Sequence, residues 1–119
     1  MSISYSDILR IPTFEERVNA LFLKGKVGFI KDQDRAFMQS FYHSDEWKWF
    51  ANEIRIRDNG CDLACPDRPI RGLIIIHHID PITLSDIANH SKKLLDPENV
   101  ISVSDLTHKA IHYGDYKYI

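Results

Sequence analysis

The chain has little of the punctuation that marks several whole classes of protein. Two cysteines, five glycines and five prolines in 119 residues exclude a disulfide scaffold, a collagen-like repeat and a low-complexity linker. Cys61 and Cys65 stand in a C-x3-C spacing with no second pair, so one chain cannot assemble a four-thiolate zinc site. Both are expected as reduced thiols, one or both of them buried. No apolar run approaches the length of a membrane span. Met1 to Arg10 has neither the basic start nor the apolar core of a secretion signal. A cytoplasmic protein with no membrane partner is the expectation. Positive charge is not in excess either. Fifteen Lys and Arg against seventeen Asp and Glu leave a formal charge of −2. The broad basic field that favours tight, sequence-specific nucleic-acid binding is therefore missing, although a small site can still gather its cations locally.

What is present is enough apolar material for one modest domain. Hydrophobic residues make up 44% of the chain, thirteen of its residues are aromatic, and a real core follows. Thr13-Phe14-Glu15-Glu16 fits a capping box, with Val18, Leu21 and Phe22 behind it; this predicts a helix from about 14 to 23, stopped near Lys24-Gly25. Lys26 to Ile30 reads as a short strand. Asp34 opens a second helical stretch with Phe37, Met38 and Phe41 on one side. Trp47, Phe50, Ala51 and Ile54 follow the i, i+3, i+4, i+7 spacing of a helix packed on a core. Its polar edge carries Lys48, Arg55 and Arg57, which read equally as a solvated face or a phosphate track. Asn59-Gly60 marks a turn. Strands are expected over about 70–78 and 100–103, with a helical turn around Leu84, Ile87 and Ala88 in the long segment between them. A final helix is expected over 104–113, with Gly114 as its stop. The fold class is α+β.

The chemistry concentrates in the second half, in the order His77-His78, Asn99, His108, His112. The histidine doublet ends the run Leu73-Ile74-Ile75-Ile76, which reads as a buried strand. His108 and His112 are four residues apart, so one helix presents both imidazoles on one face. Three imidazoles with coordination positions left open describe a catalytic metal site rather than a sealed structural one. A fourth imidazole beside them is placed to act as a base. Each element has a plainer reading when taken alone. The doublet can be two ordinary strand residues, an isolated His-x3-His is usually a solvated helix pair, and an Asn often caps a helix. On the residues alone both readings stay open. His43 and His90 fall outside the pattern and are expected at the surface.

These residues resemble the HNH nuclease family. His77-His78-Ile79-Asp80-Pro81 matches its H-H-x-x-P, and Asp96-Pro97-Glu98-Asn99-Val100 matches its D-x-x-N-hydrophobic segment. The nine positions from Asn99 to His108 equal the gap in colicin-type nuclease domains. Phe41 to Trp47 and Ile56 to Cys61 look like the lead-in of bacteriophage members, so the resemblance covers roughly 41–114. It implies a ββα-metal (His-Me finger) unit, with 1–40 as an N-terminal helical extension packed on a nuclease domain over 41–119. It implies His77, His108 and His112 as ligands of one divalent ion (Mg, Mn, Ni or Zn), His78 as general base, and Asn99 as a brace for the carbonyl that orients that base. Arg71, six positions before His77, is where colicin-type domains place a phosphate-binding arginine; a surface arginine at a strand entrance fits it equally well. The implied substrate is DNA, cut or nicked to 5′-phosphate and 3′-hydroxyl ends. The implied setting is a bacterial host cell, with a phage packaging or other DNA-processing protein as partner. A free-standing homing endonuclease and a non-catalytic binding module are the alternatives. The segment from Pro81 to Leu95 is longer than its colicin counterpart. It is open between a DNA grip, a partner contact and a core cover.

Overall fold

The computed structural model describes residues 3–22 and 32–113. The strand expected over Lys26 to Ile30, the helix stop at Lys24-Gly25 and Gly114 lie outside the described residues. Among the described residues the architecture is α+β: six α-helices and one two-stranded antiparallel sheet. In chain order these are α1 (Tyr5–Leu9), α2 (Phe14–Leu21), α3 (Asp32–Tyr42), α4 (Asp45–Arg57), β1 (Ile74–His78), α5 (Leu84–Ala88), β2 (Val100–Ser104) and α6 (Asp105–Tyr113). The boundary expected after residue 40 falls inside α3. No helix among the described residues is long and apolar enough to cross a membrane.

Local chemistry explains the helix starts. The Thr13 hydroxyl accepts the Glu16 N–H at 3.2 Å to open α2. The Ser44 hydroxyl accepts the Trp47 N–H at 3.2 Å to open α4, with Asp45 and Glu46 in the first turn and Arg55 and Arg57 in the last, each sign on the favourable end of the helix dipole. Trp47, Phe50, Ala51 and Ile54 are all buried, as their spacing predicts. The chain leaves α4 through Asn59 at φ 53° and Gly60 at φ 65°, a left-handed pair that glycine and asparagine tolerate best.

The sheet is shorter at its entrance than the apolar run implies. β1 begins at Ile74, and Leu73 is 74% exposed. Residues 69–70 are drawn elsewhere: Pro69 bridges Cys61, and the Ile70 N–H donates to the Gly60 carbonyl at 2.8 Å. The ladder then runs from Ile74 opposite Ser104 to His78 opposite Val100. Successive side chains on a strand point to opposite faces, so the sheet divides two cores. Ile75, Ile79, Ile101 and Val103 join Ile8, Val18 and Ile111 on one side. Ile74, Ile76 and Val100 join Trp47, Phe50 and Ile54 of α4 on the other.

Arg57 joins neither the solvated face nor the phosphate track that its position in the sequence leaves open. Its guanidinium pairs with Asp58 at 2.8 Å, donates to the carbonyls of Pro97 at 2.6 Å and Val100 at 2.9 Å, and lies 3.4 Å over the Tyr5 ring. Those contacts tie α1, α4 and the start of β2 together. Buried carboxylates then fix the approach to α6. Asp58 accepts the Ser102 N–H at 2.8 Å, and Asp62 accepts the hydroxyls of Ser104 at 2.9 Å and Thr107 at 2.6 Å. Cys61 and Cys65 are both free and buried, as expected.

Candidate metal centre

Strand parity and helix periodicity together build the site. His77 is on the α6 face of β1, next to His78 on the α4 face. His108 and His112, one turn apart on α6, bring their Nε2 atoms to 2.8 Å. The three imidazoles of His77, His108 and His112 each offer a nitrogen, and these nitrogens lie within 4.8 Å of one another. His77 is 4% exposed, and its Nε2 has no hydrogen-bond partner. An unsatisfied buried nitrogen costs on the order of 1–3 kcal/mol, so it marks a place where something else is expected to bind. Burial, reinforced by His108 and His112, holds the His77 pKa well below the usual imidazole range. Burial also pushes His108 down to about 4, and it lowers His112. All three imidazoles are therefore neutral at pH 7, the form that ligates a metal. The donor set and the orphaned nitrogen fit one divalent ion.

His78 is as buried as His77 but differently furnished. Its Nε2 lies 3.0 Å from the Leu94 carbonyl. A carbonyl only accepts, so Nε2 carries the proton and Nδ1 is left as the proton-accepting nitrogen. The ring stacks on Trp47 with centroids 5.1 Å apart and 26° between planes. Burial lowers the His78 pKa, and the Leu94 hydrogen bond partly opposes that shift.

Asn99 is buried, and its side chain makes three hydrogen bonds. Its Oδ1 accepts the Asp80 N–H at 2.8 Å, and its Nδ2 donates to the carbonyls of Asp80 and Lys93, each at 3.2 Å. Lys93 directly precedes Leu94, so Asn99 grips the backbone beside the carbonyl that orients His78. Lys93 also ties the loop down, with its ammonium 2.9 Å from the Pro81 carbonyl, 3.1 Å from Asp86 and 3.3 Å from Asp80. Despite burial that raises it, hydrogen bonds from Thr83, Lys93 and Ser91 hold the Asp86 pKa at about 2. The segment between the strands thus delivers the Leu94 carbonyl to His78. None of the three roles left open for it included that one.

The four histidines line one cleft of about 440 Å³. Arg71 is not among the residues that line it. Arg71 is exposed and lines a separate cavity of about 530 Å³ with Asp67, Arg68 and Asp105. Lys48 is exposed, and neither it nor Arg55 lines the histidine cleft. His43 and His90 are exposed, as expected. Compared with family models, with curated proteins and with solved structures, the chain gives no match. The site therefore rests on its own geometry.

Three contributors were missed in the residue pattern. Leu94 acts through a backbone carbonyl, which no residue type announces. Trp47 has the spacing of a core residue; it is core and also the plate on which His78 lies. Arg35, on α3, lines the cleft from a segment with no histidine motif. The i, i+7 spacing from Arg35 to Tyr42, which also lines the cleft, was the available signal.

Proposed function

We propose that this chain is a metal-dependent DNA endonuclease or nickase built on a ββα-metal unit of the HNH type. The observation that carries the reading is the convergence of His77, His108 and His112 within 4.8 Å beside His78, an imidazole whose free nitrogen is defined by its partner. β1, β2 and α6 stand in the order such a unit requires.

His77, His108 and His112 would hold one divalent ion: Mg, Mn, Ni or Zn. The chemistry supplied by a bound ion at a phosphodiester is neutralisation of the charge that develops on the phosphate and leaving oxygens. The chain's own residues do the rest. His78, neutral at pH 7 and protonated on Nε2, accepts a proton from the attacking water at Nδ1. The Leu94 carbonyl holds that tautomer and stabilises the imidazolium that results. Asn99 and Lys93 keep the carbonyl in place. Trp47 stacks on the ring and fixes its plane.

The deciding experiment is conversion of supercoiled plasmid by the purified protein with EDTA, Mg²⁺, Mn²⁺, Ni²⁺ or Zn²⁺, beside His78→Ala. Metal-dependent nicked or linear product that His78→Ala loses is the expected result. A second reading, a binding module that keeps the metal fold without cutting, draws on one observation: His78 is 6% exposed and stacked on Trp47, as a core residue would be. A wild type that binds DNA and leaves it intact with every metal selects that reading. A phage packaging or other DNA-processing machine is the partner class proposed with the nuclease, and the bacterial cytoplasm is its setting.

A further inference from the structure

One wall of the histidine cleft comes from outside the motif. Arg35, Met38, Gln39 and Tyr42 of α3 all line it, and their i, i+3, i+4, i+7 spacing is a single helix face. Among the described residues, Arg35 is the one that lines the cleft with a permanent charge, and no carboxylate lines it. Among the described residues no carboxylate pairs with Arg35, although the acids near the cleft are engaged: Asp80 and Asp86 with Lys93. The side chain is exposed, so its guanidinium is open to a ligand. A planar guanidinium without an acidic partner suits an anion, and its parallel donors match two phosphate oxygens. The other arginine of interest, Arg71, lines the second cavity beside Asp67 and Asp105.

We propose that Arg35 binds a backbone phosphate of the substrate, which makes α3 the strand-gripping wall of the cleft that the metal-ligand helix also lines. The contact would supply locally the positive charge that the chain as a whole, at −2, does not offer. The identity of the substrate rests on the nuclease reading; the anion contact rests on the cleft.

The test measures binding apart from cleavage. In a His78→Ala background loaded with Mn²⁺, fluorescence anisotropy with short single-stranded and duplex DNA probes is followed as salt is varied. Arg35→Ala is expected to weaken binding of both probes about tenfold and to reduce the salt slope by about one phosphate contact. Arg35→Lys should keep the slope and recover part of the affinity. Arg71→Ala should change affinity less than twofold. Unchanged melting temperature and Zn²⁺ affinity in Arg35→Ala would show that fold and histidines are intact. With His78 restored, Arg35→Ala should raise KM more than it lowers kcat. Equal affinity and slope in Arg35→Ala, transfer of the whole loss to Arg71→Ala, or no DNA binding by the parent overturns the proposal. DNA binding through Arg35 without cutting by any metal-loaded wild type sinks the nuclease reading and leaves the phosphate contact standing. Cutting that is indifferent to Arg35→Ala does the reverse.

Discussion

His77 and His78 are neighbours in the chain and nearly equal in burial, at 4% and 6% exposed, yet the fold treats them oppositely. His77 faces α6 with an Nε2 that nothing satisfies; His78 faces α4 with an Nε2 bound to the Leu94 carbonyl. One residue is left incomplete beside two other imidazoles, and the other is completed on one nitrogen so that the second stays available. Burial alone does not separate a ligand from a base or from a core residue. The partner of each nitrogen is what distinguishes His77 from His78.

The strongest way to break this comparison is to remove the incomplete side. With a divalent ion at one hundred times its Kd, the wild type should gain about 2.7 kcal/mol, which is on the order of 10 °C in melting temperature. His77→Ala should lose that gain together with all cleavage. Calorimetric titration and thermal melts with Zn²⁺ or Ni²⁺ check it, and an undiminished metal response would end the ligand assignment. The completed side should behave differently. His78→Ala is expected to keep metal affinity and lose roughly 10²–10⁴-fold in cleavage rate; a parallel loss of both would make His78 a structural residue instead.

Smaller effects sharpen the contrast. Asn99→Ala frees the backbone beside Leu94 and should cost roughly 10–100-fold in cleavage, with about 1–3 kcal/mol of stability from the stranded partners. Urea unfolding and steady-state rates separate the two losses. The pH dependence has a definite sign. His77, His108 and His112 have folded pKa values below the unfolded value near 6.5, with His108 at about 4. The unfolded chain therefore binds more protons between pH 6.5 and 4, and stability of the EDTA-treated protein should fall as pH falls through that window. His108→Asn should flatten the fall, and urea midpoints measured across it would show whether it does. The smallest expected effect concerns the Ser102 hydroxyl, which among the described residues is also buried without a partner. Ser102 sits opposite Ile76, and among the described residues no cluster of ligands surrounds it, so Ser102→Ala should shift stability by less than about 1 kcal/mol, toward greater stability. A metal response altered by Ser102→Ala would put the Ser102 hydroxyl in the same class as the His77 Nε2.

Much of this is legible in the sequence. Trp47, Phe50, Ala51 and Ile54 foretold α4 because helical spacing and burial are the same fact viewed twice. His108 and His112 had to share a face for the same reason. Leu73 misled, because an apolar run says nothing about which partner takes the preceding residues, and here Cys61 and Gly60 take 69 and 70. Arg57 misled in the other direction: a charged edge looks alike in sequence whether it meets solvent or the carbonyls of Pro97 and Val100. The segment after Pro81 was opaque because its contribution to His78 is made by a carbonyl.

The sequence by itself determined the periodicities, the types of nitrogen available and their order along the chain. From those follow two strands, a closing helix and a doublet whose members must face opposite ways. Only the tertiary structure decided that His77 would meet α6, that Leu94 would meet His78, that Arg35 rather than Arg71 would enter the cleft, and that Arg57 would be spent on the fold. The physical reason is range. Backbone geometry dictates which side chains share a face within one element. Which faces meet is decided by burial of apolar surface and by satisfaction of polar groups across tens of residues of chain, and no local pattern encodes that outcome.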